Sequence, residues 1–143
     1  VENMAVINEQ VPYFDFDGLS CAESTLRCLI ERGVIDAPMD TVRMLTGLHG
    51  GALGPGGYCG AINGGVAALG WVLGRTEPTQ DSKRLQRVER EFVDAFHEKF
   101  GEYTCEALLT EDEASRSQLE RCADQVVWAV ETVTRILERE RAS

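Results

Sequence analysis

The fold turns on one stretch: Gly47-Leu48-His49-Gly50-Gly51-Ala52-Leu53-Gly54-Pro55-Gly56-Gly57-Tyr58-Cys59-Gly60-Ala61-Ile62-Asn63-Gly64-Gly65-Val66-Ala67-Ala68-Leu69-Gly70-Trp71-Val72-Leu73-Gly74. Its first half is a glycine-rich loop and its second half an apolar run of small residues. Gly60, Gly64 and Ala68 recur at i, i+4, and Ala61, Gly65 and Leu69 form the adjacent row, so the run reads as a helix from about Cys59 to Leu73. Glycine inside a helix costs about 1 kcal/mol relative to alanine. Gly60, Gly64 and Gly65 therefore require something that comes close to the backbone, either another helix or a cofactor. The helix is expected to be central.

Working outward, Ser20-Cys21-Ala22-Glu23 has the form of a capping box and should open a helix running to about Arg32, closed by Gly33. Pro38-Met39-Asp40 offers a short second helix, with Asp40 as cap and Val42, Leu45 and Leu48 on one side. Downstream, Gly74–Pro78 reads as a connector. Asp81 or Ser82 starts a long amphipathic helix with Leu85, Val88, Phe92, Phe96 and Phe100 as its apolar stripe, and Gly101 ends it. Thr104 caps a short turn of helix through Cys105, Leu108 and Leu109. Glu111–Glu113 reads as a solvated acidic turn. A last helix, capped by Ser115 or Ser117, runs to about Arg139 with Leu119, Cys122, Val126, Val130, Val133 and Leu137 on its apolar face. The pattern contains neither a convincing strand nor a repeat of fixed period. The expected fold is all-α, a single-domain helical bundle over residues 1–143, with an N-terminal arm at 1–18 and a four-cysteine module at 20–139.

Composition bounds the function. A chain of 143 residues buries about 68–70% of its unfolded surface and needs no disulfide to hold a core. The net charge of −10 argues against nucleic acid, whose phosphates call for an excess of Lys and Arg. No stretch reaches the length of uninterrupted apolar residues that a membrane span needs. The first residues lack the basic-then-apolar pattern of a secretory leader. The five cysteines fit a reducing, cytoplasmic setting, where cysteines are metal-binding, redox-active or buried more often than bridged.

Three of the cysteines stand at predicted helix starts: Cys21 after Ser20, Cys59 after the glycine loop, and Cys105 after Thr104. A helix N-terminus presents unpaired N–H groups and about +0.5 charge, which should lower a thiol pKa below about 8.5. Cys122 lies on the inward face of the last helix. The four sulfurs converge if the helices pack with these ends together. The alternative is that cysteine is simply among the most buried residue types. Cys28 falls outside the set. It follows Cys21 by seven positions on one helix, about 10 Å along the axis and beyond the roughly 7 Å limit for a disulfide, so it reads as core.

The ordered set Cys21 (in Ser-Cys-Ala-Glu), Cys59-Gly60-Ala61-Ile62-Asn63-Gly64, Cys105 and Cys122, with its glycine-rich lead-in Gly50–Gly57, resembles a family of small redox-active proteins with four cysteines and a short Cys/Gly/Ala motif, the C_GCAxxG_C_C type. The likeness covers roughly Ser20 to Val130. In this chain Tyr58 precedes the motif cysteine and Gly60 follows it. The resemblance implies redox chemistry at Cys21, Cys59, Cys105 and Cys122. A similar module stands beside haem in split-Soret-type cytochromes. The resemblance does not imply a substrate.

Several chemistries fit these residues. Four thiolates are the ligand set of an iron–sulfur cluster, and Gly57, Gly60, Ala61 and Gly64 are candidate cofactor-binding positions whose backbone N–H groups could approach the sulfurs. The close C-x₂-C grouping of ferredoxins is absent. Metal-free thiol–disulfide redox is the alternative, with no C-x-x-C and therefore no thioredoxin-like mechanism. Structural zinc, with His49 as a further ligand, is a third. A small-ligand or phosphate-binding role for the glycine loop is the reading from a different class; the loop lacks G-K-[ST] and follows a helix, so it is not a P-loop. An electron carrier with these features would meet a redox partner protein steered by its acidic surface, and its apolar helix faces admit a homodimer. His97 is expected at the surface, and Glu23 as a cap rather than a catalyst.

Overall fold

A computed structural model describes residues 18–48, 51–52, 56–110 and 118–143, and of residues 109, 110 and 118–121 only the backbone. The elements in order are α1 (Cys21–Glu31), a single 3-10 turn (Met39–Thr41), α2 (Val42–Thr46), α3 (Gly60–Leu73), α4 (Lys83–Phe100), α5 (Cys105–Thr110) and α6 (Gln118–Ala142). The fold is all-α, and the described residues form no β-strand; an isolated bridge pairs Tyr58 with Thr104. Residues 1–17 of the N-terminal arm, His49, Gly50, Gly54, the acidic turn and the Ser115 or Ser117 cap lie outside the described residues.

Local chemistry sets the helix ends. The Ser20 hydroxyl accepts from the Glu23 amide at 3.3 Å, and the Glu23 carboxylate accepts from the Ser20 amide at 2.9 Å, which closes the capping box. The second Glu23 oxygen accepts from the Thr46 hydroxyl at 2.7 Å and ties α1 to α2. Gly33, with φ +72, and Gly101, with φ +89, take the left-handed geometry that ends α1 and α4. The region after Pro38 departs from expectation. Pro38, rather than Asp40, caps the 3-10 turn, and Asp40 lies inside it. Leu45 is buried there but Leu48 is exposed, because α2 ends one turn too early to carry it inward.

Helix α3 is central, packing against α1, α4 and α6. Its small residues explain how. A Cβ on Gly60 would stand 2.7 Å from the Ala22 nitrogen, and one on Gly64 would stand 2.7 Å from both the Ala22 carbonyl oxygen and the Thr25 Cβ. Helix α1 occupies that space. Gly65 faces the other way and receives the Phe92 ring of α4. The two small-residue rows thus serve two different neighbours. Phe92 and Phe96 are fully buried, and the rings of Phe92, Phe96 and Phe100 surround Trp128 of α6 at centroid distances of 5.7, 5.6 and 5.8 Å. Val126, Val130, Val133 and Leu137 bury the predicted face of α6. Glu140, near the end of α6, accepts from Arg84 and Arg87 of α4 at 2.9 Å each and from Arg139 at 3.2 Å, clamping the two helices together.

Candidate functional site

The site is built by helix starts that packing brings together. Cys21 is the first residue of α1, immediately after its Ser20 cap. The close approach of α1 to α3 at Gly60 places the Cys21 Cβ 3.0 Å from where a Gly60 Cβ would stand. Cys59 is the N-cap of α3. Its carbonyl accepts from the Ile62 and Asn63 amides at 2.9 and 3.1 Å, and its own amide donates to the Tyr103 carbonyl at 2.8 Å. Cys105 opens α5, and its amide donates to the Gly57 carbonyl at 3.1 Å. The Tyr58–Thr104 bridge therefore locks the backbones of Cys59 and Cys105 side by side. Below Cys105, the Thr104 hydroxyl accepts from the Ala107 amide at 3.1 Å, the cap expected from sequence. Cys122 stands in the first turns of α6 and points inward, with 6% of its surface exposed.

The four sulfurs act on one another. The Cys21 thiol is pushed well above its ordinary pKa, first by its hydrogen bond with Cys122, then by burial, then by the nearby charges that Cys122, Cys59 and Cys105 would carry if ionised. Cys59, only 2% exposed, is pushed up to about 12. Burial is the main cause, and Cys122 and Cys105 add to it, while the Ala61 and Ile62 amides pull the other way. Burial and then Cys122 raise Cys105. The expectation of lowered thiol pKa values at the helix starts is thus corrected. The helix N–H groups do favour a Cys59 thiolate, but desolvation and like-charge repulsion outweigh them. At neutral pH Cys21, Cys59 and Cys105 are held as thiols.

Cys28 lies apart in the core. It is fully buried, and burial raises its thiol pKa, opposed by the Arg32 charge. Gly60 and Gly64 are buried against α1, the Ala61 amide favours the ionised form of Cys59, and Gly57 folds back onto Gly51 while its carbonyl receives Cys105. His97 is exposed, and its ring stacks on Tyr103 at 4.3 Å, which in turn stacks on Tyr58 at 5.7 Å. Among the described residues no three His, Cys, Asp or Glu side chains are grouped so as to hold a single metal ion.

Two contributors escaped the sequence reading. Tyr103 holds Cys59 through its backbone carbonyl, for which no side-chain pattern gives a sign. Gln125, 5% exposed, accepts the Cys59 Sγ–H on its Oε1 at 3.4 Å. Its spacing of three from Cys122 puts both on one face of α6, which is the sign that could have pointed to it.

A family model described as "Putative redox-active protein (C_GCAxxG_C_C)" matches residues 19–136. No curated protein and no solved structure matches the chain.

Proposed function

The chain belongs to the C_GCAxxG_C_C family of redox-active proteins, and from that premise we propose that Cys21, Cys59, Cys105 and Cys122 hold an iron–sulfur cluster through which the protein carries electrons. One observation supports this reading above others. Four thiols from four separate segments, Cys59 and Cys122 buried and Cys21 and Cys105 partly so, lie near enough that ionising one raises the cost of ionising the next. Four thiolates so near one another need a cationic partner, and an iron–sulfur core ligated by four cysteines is one.

The donor set fits such a group. All four candidates are sulfur, and the Ala61 and Ile62 amides at the start of α3 favour the ionised form of Cys59, as a cluster ligand requires. A multi-iron cluster distributes its cysteines over several irons, whereas structural zinc gathers four ligands around one ion. When bound, the cluster would supply one-electron transfer. The chain's own part is to fix four ligands on packed helix starts, exclude water with buried Cys59 and Cys122, and present an acidic surface (net charge −10) to a basic redox partner.

A second reading rests on the Cys21–Cys122 contact. In this reading the two thiols, which interact through a side-chain hydrogen bond, form a disulfide. In that reaction both thiols lose a proton and together two electrons, and a disulfide-bearing partner is reduced to its dithiol. Protein prepared without oxygen, assayed for iron and acid-labile sulfide beside Cys59→Ser, separates the two. The cluster reading expects both elements in the wild-type chain and a loss in the variant. Neither element, even after reconstitution, would leave the dithiol reading.

A further inference from the structure

We infer that Gln125 is a positioning residue for Cys59: its amide oxygen accepts the thiol's hydrogen bond in the iron-free state, and its amide nitrogen donates to the sulfur once the thiol proton has been lost. The second half rests on the cluster reading above.

The argument begins with what the Cys59 sulfur can bond to. Its backbone is fixed on both sides, by the Tyr103 carbonyl and by the first amides of α3. The sulfur takes no capping hydrogen bond from the first amides of α3, and its one donor is the S–H. That donor meets Gln125 Oε1 at 3.4 Å, in a site where Cys59 is 2% and Gln125 5% exposed. With water excluded, no solvent molecule can take over either role.

Glutamine is the side chain whose two ends differ only by a half-turn of the amide. One end accepts and the other donates. A sulfur bonded to iron keeps lone pairs but has no proton to give. Facing the Gln125 oxygen, it would meet two electron-rich atoms without a hydrogen between them. Rotation of the amide replaces that repulsion with an N–H to sulfur bond. Glutamate in this place could not donate when ionised, and an aliphatic residue could do neither. Gln125 lies three residues after Cys122 on α6, so the residue that responds to Cys59 is carried on the helix that supplies another of the four sulfurs.

Two arms test this, with Gln125→Met as a near-isosteric variant and Gln125→Leu as a second should the first fail to fold. In the iron-free, reduced chain, the infrared S–H stretch of Cys59 is identified by subtracting the Cys59→Ser spectrum. It should lie at lower frequency in the wild type and move up in both variants. The same frequency in all three chains overturns the acceptor role. In protein reconstituted with iron and sulfide, a hydrogen-bond donor to a ligand sulfur favours the more negative, reduced state. At the wild-type midpoint poise, the reduced-to-oxidised ratio should fall about tenfold in the variants, about 59 mV for a one-electron couple. An unchanged ratio in an iron-loaded variant overturns the donor role. A wild-type chain that takes up neither iron nor sulfide overturns the cluster reading and the donor role with it, while the infrared arm alone then decides the acceptor role.

Discussion

Replacing Gly64 by alanine should destabilise the protein, although alanine is the better helix former. The intrinsic gain is about 1 kcal/mol. Against it, the new Cβ would stand 2.7 Å from the Ala22 carbonyl oxygen, 2.7 Å from the Thr25 Cβ and 3.1 Å from its Cγ2. The carbonyl belongs to the backbone of α1 and cannot rotate away, so α1 must shift. Overpacking of this kind costs about 1–3 kcal/mol and sometimes more. Because the closest obstacle is backbone, the upper part of that range applies, and the net loss should be about 1–2 kcal/mol after the propensity gain. Gly70 supplies the internal control, since it lies on the same helix and a Cβ there meets nothing within 4 Å. Gly70→Ala should therefore stabilise by roughly 0.5–1 kcal/mol. Urea unfolding, compared by midpoint at constant slope, reads both signs. The Gly64 variant should also disturb the site, because the α1–α3 contact sets where Cys21 stands relative to Cys59. If Gly64→Ala proves as stabilising as Gly70→Ala, the claim that glycine is required for helix contact is wrong.

Three further outcomes follow from the same contacts. Ser20→Ala should cost about 0.5–2 kcal/mol by opening the capping box at the start of α1, read as a lower urea midpoint. Glu140, held down to about 2 by Arg84, Arg87 and Arg139, stabilises the fold above the ordinary carboxylate pKa, and that contribution is lost as pH falls toward about 2; Glu140→Gln should flatten the acid limb of a stability–pH profile over that window. Cys59 has the opposite sign: its thiol is pushed up to about 12, so the stability it contributes is complete below the unfolded-state thiol pKa and declines as pH rises from there toward 12. In iron-free protein, Cys59→Ala should flatten that alkaline decline.

Much of the fold could be read from residue pattern, because it depends on interactions within a few positions. The capping box at Ser20 and Glu23, the left-handed glycines at 33 and 101, and the stripes of α4 and α6 are local devices, and each occurs where the pattern puts it. The small-residue rows of α3 announced a close neighbour but not which one. Choosing α1 for Gly60 and Gly64, and Phe92 for Gly65, required tertiary packing. The candidate site was legible as a list of cysteines and illegible as an environment. Helix-start placement alone predicts lowered thiol pKa values, and only the buried, crowded arrangement reverses the direction. The Tyr58–Thr104 bridge pairs two loop residues and leaves no alternating pattern to find. Gln125 carries no motif, and its role appears only when α6 is laid against the start of α3.

The central claim is that four cysteines from separate segments share one place and that Cys28 does not belong to it. Mild oxidation of the iron-free, reduced protein, followed by peptide mapping without reductant, tests this most directly. A Cys21–Cys122 bridge should dominate, any second bridge should join Cys59 to Cys105, and Cys28 should stay a free thiol. Bridges that include Cys28, or Cys21 and Cys122 both remaining free while other cysteines pair, would contradict the account.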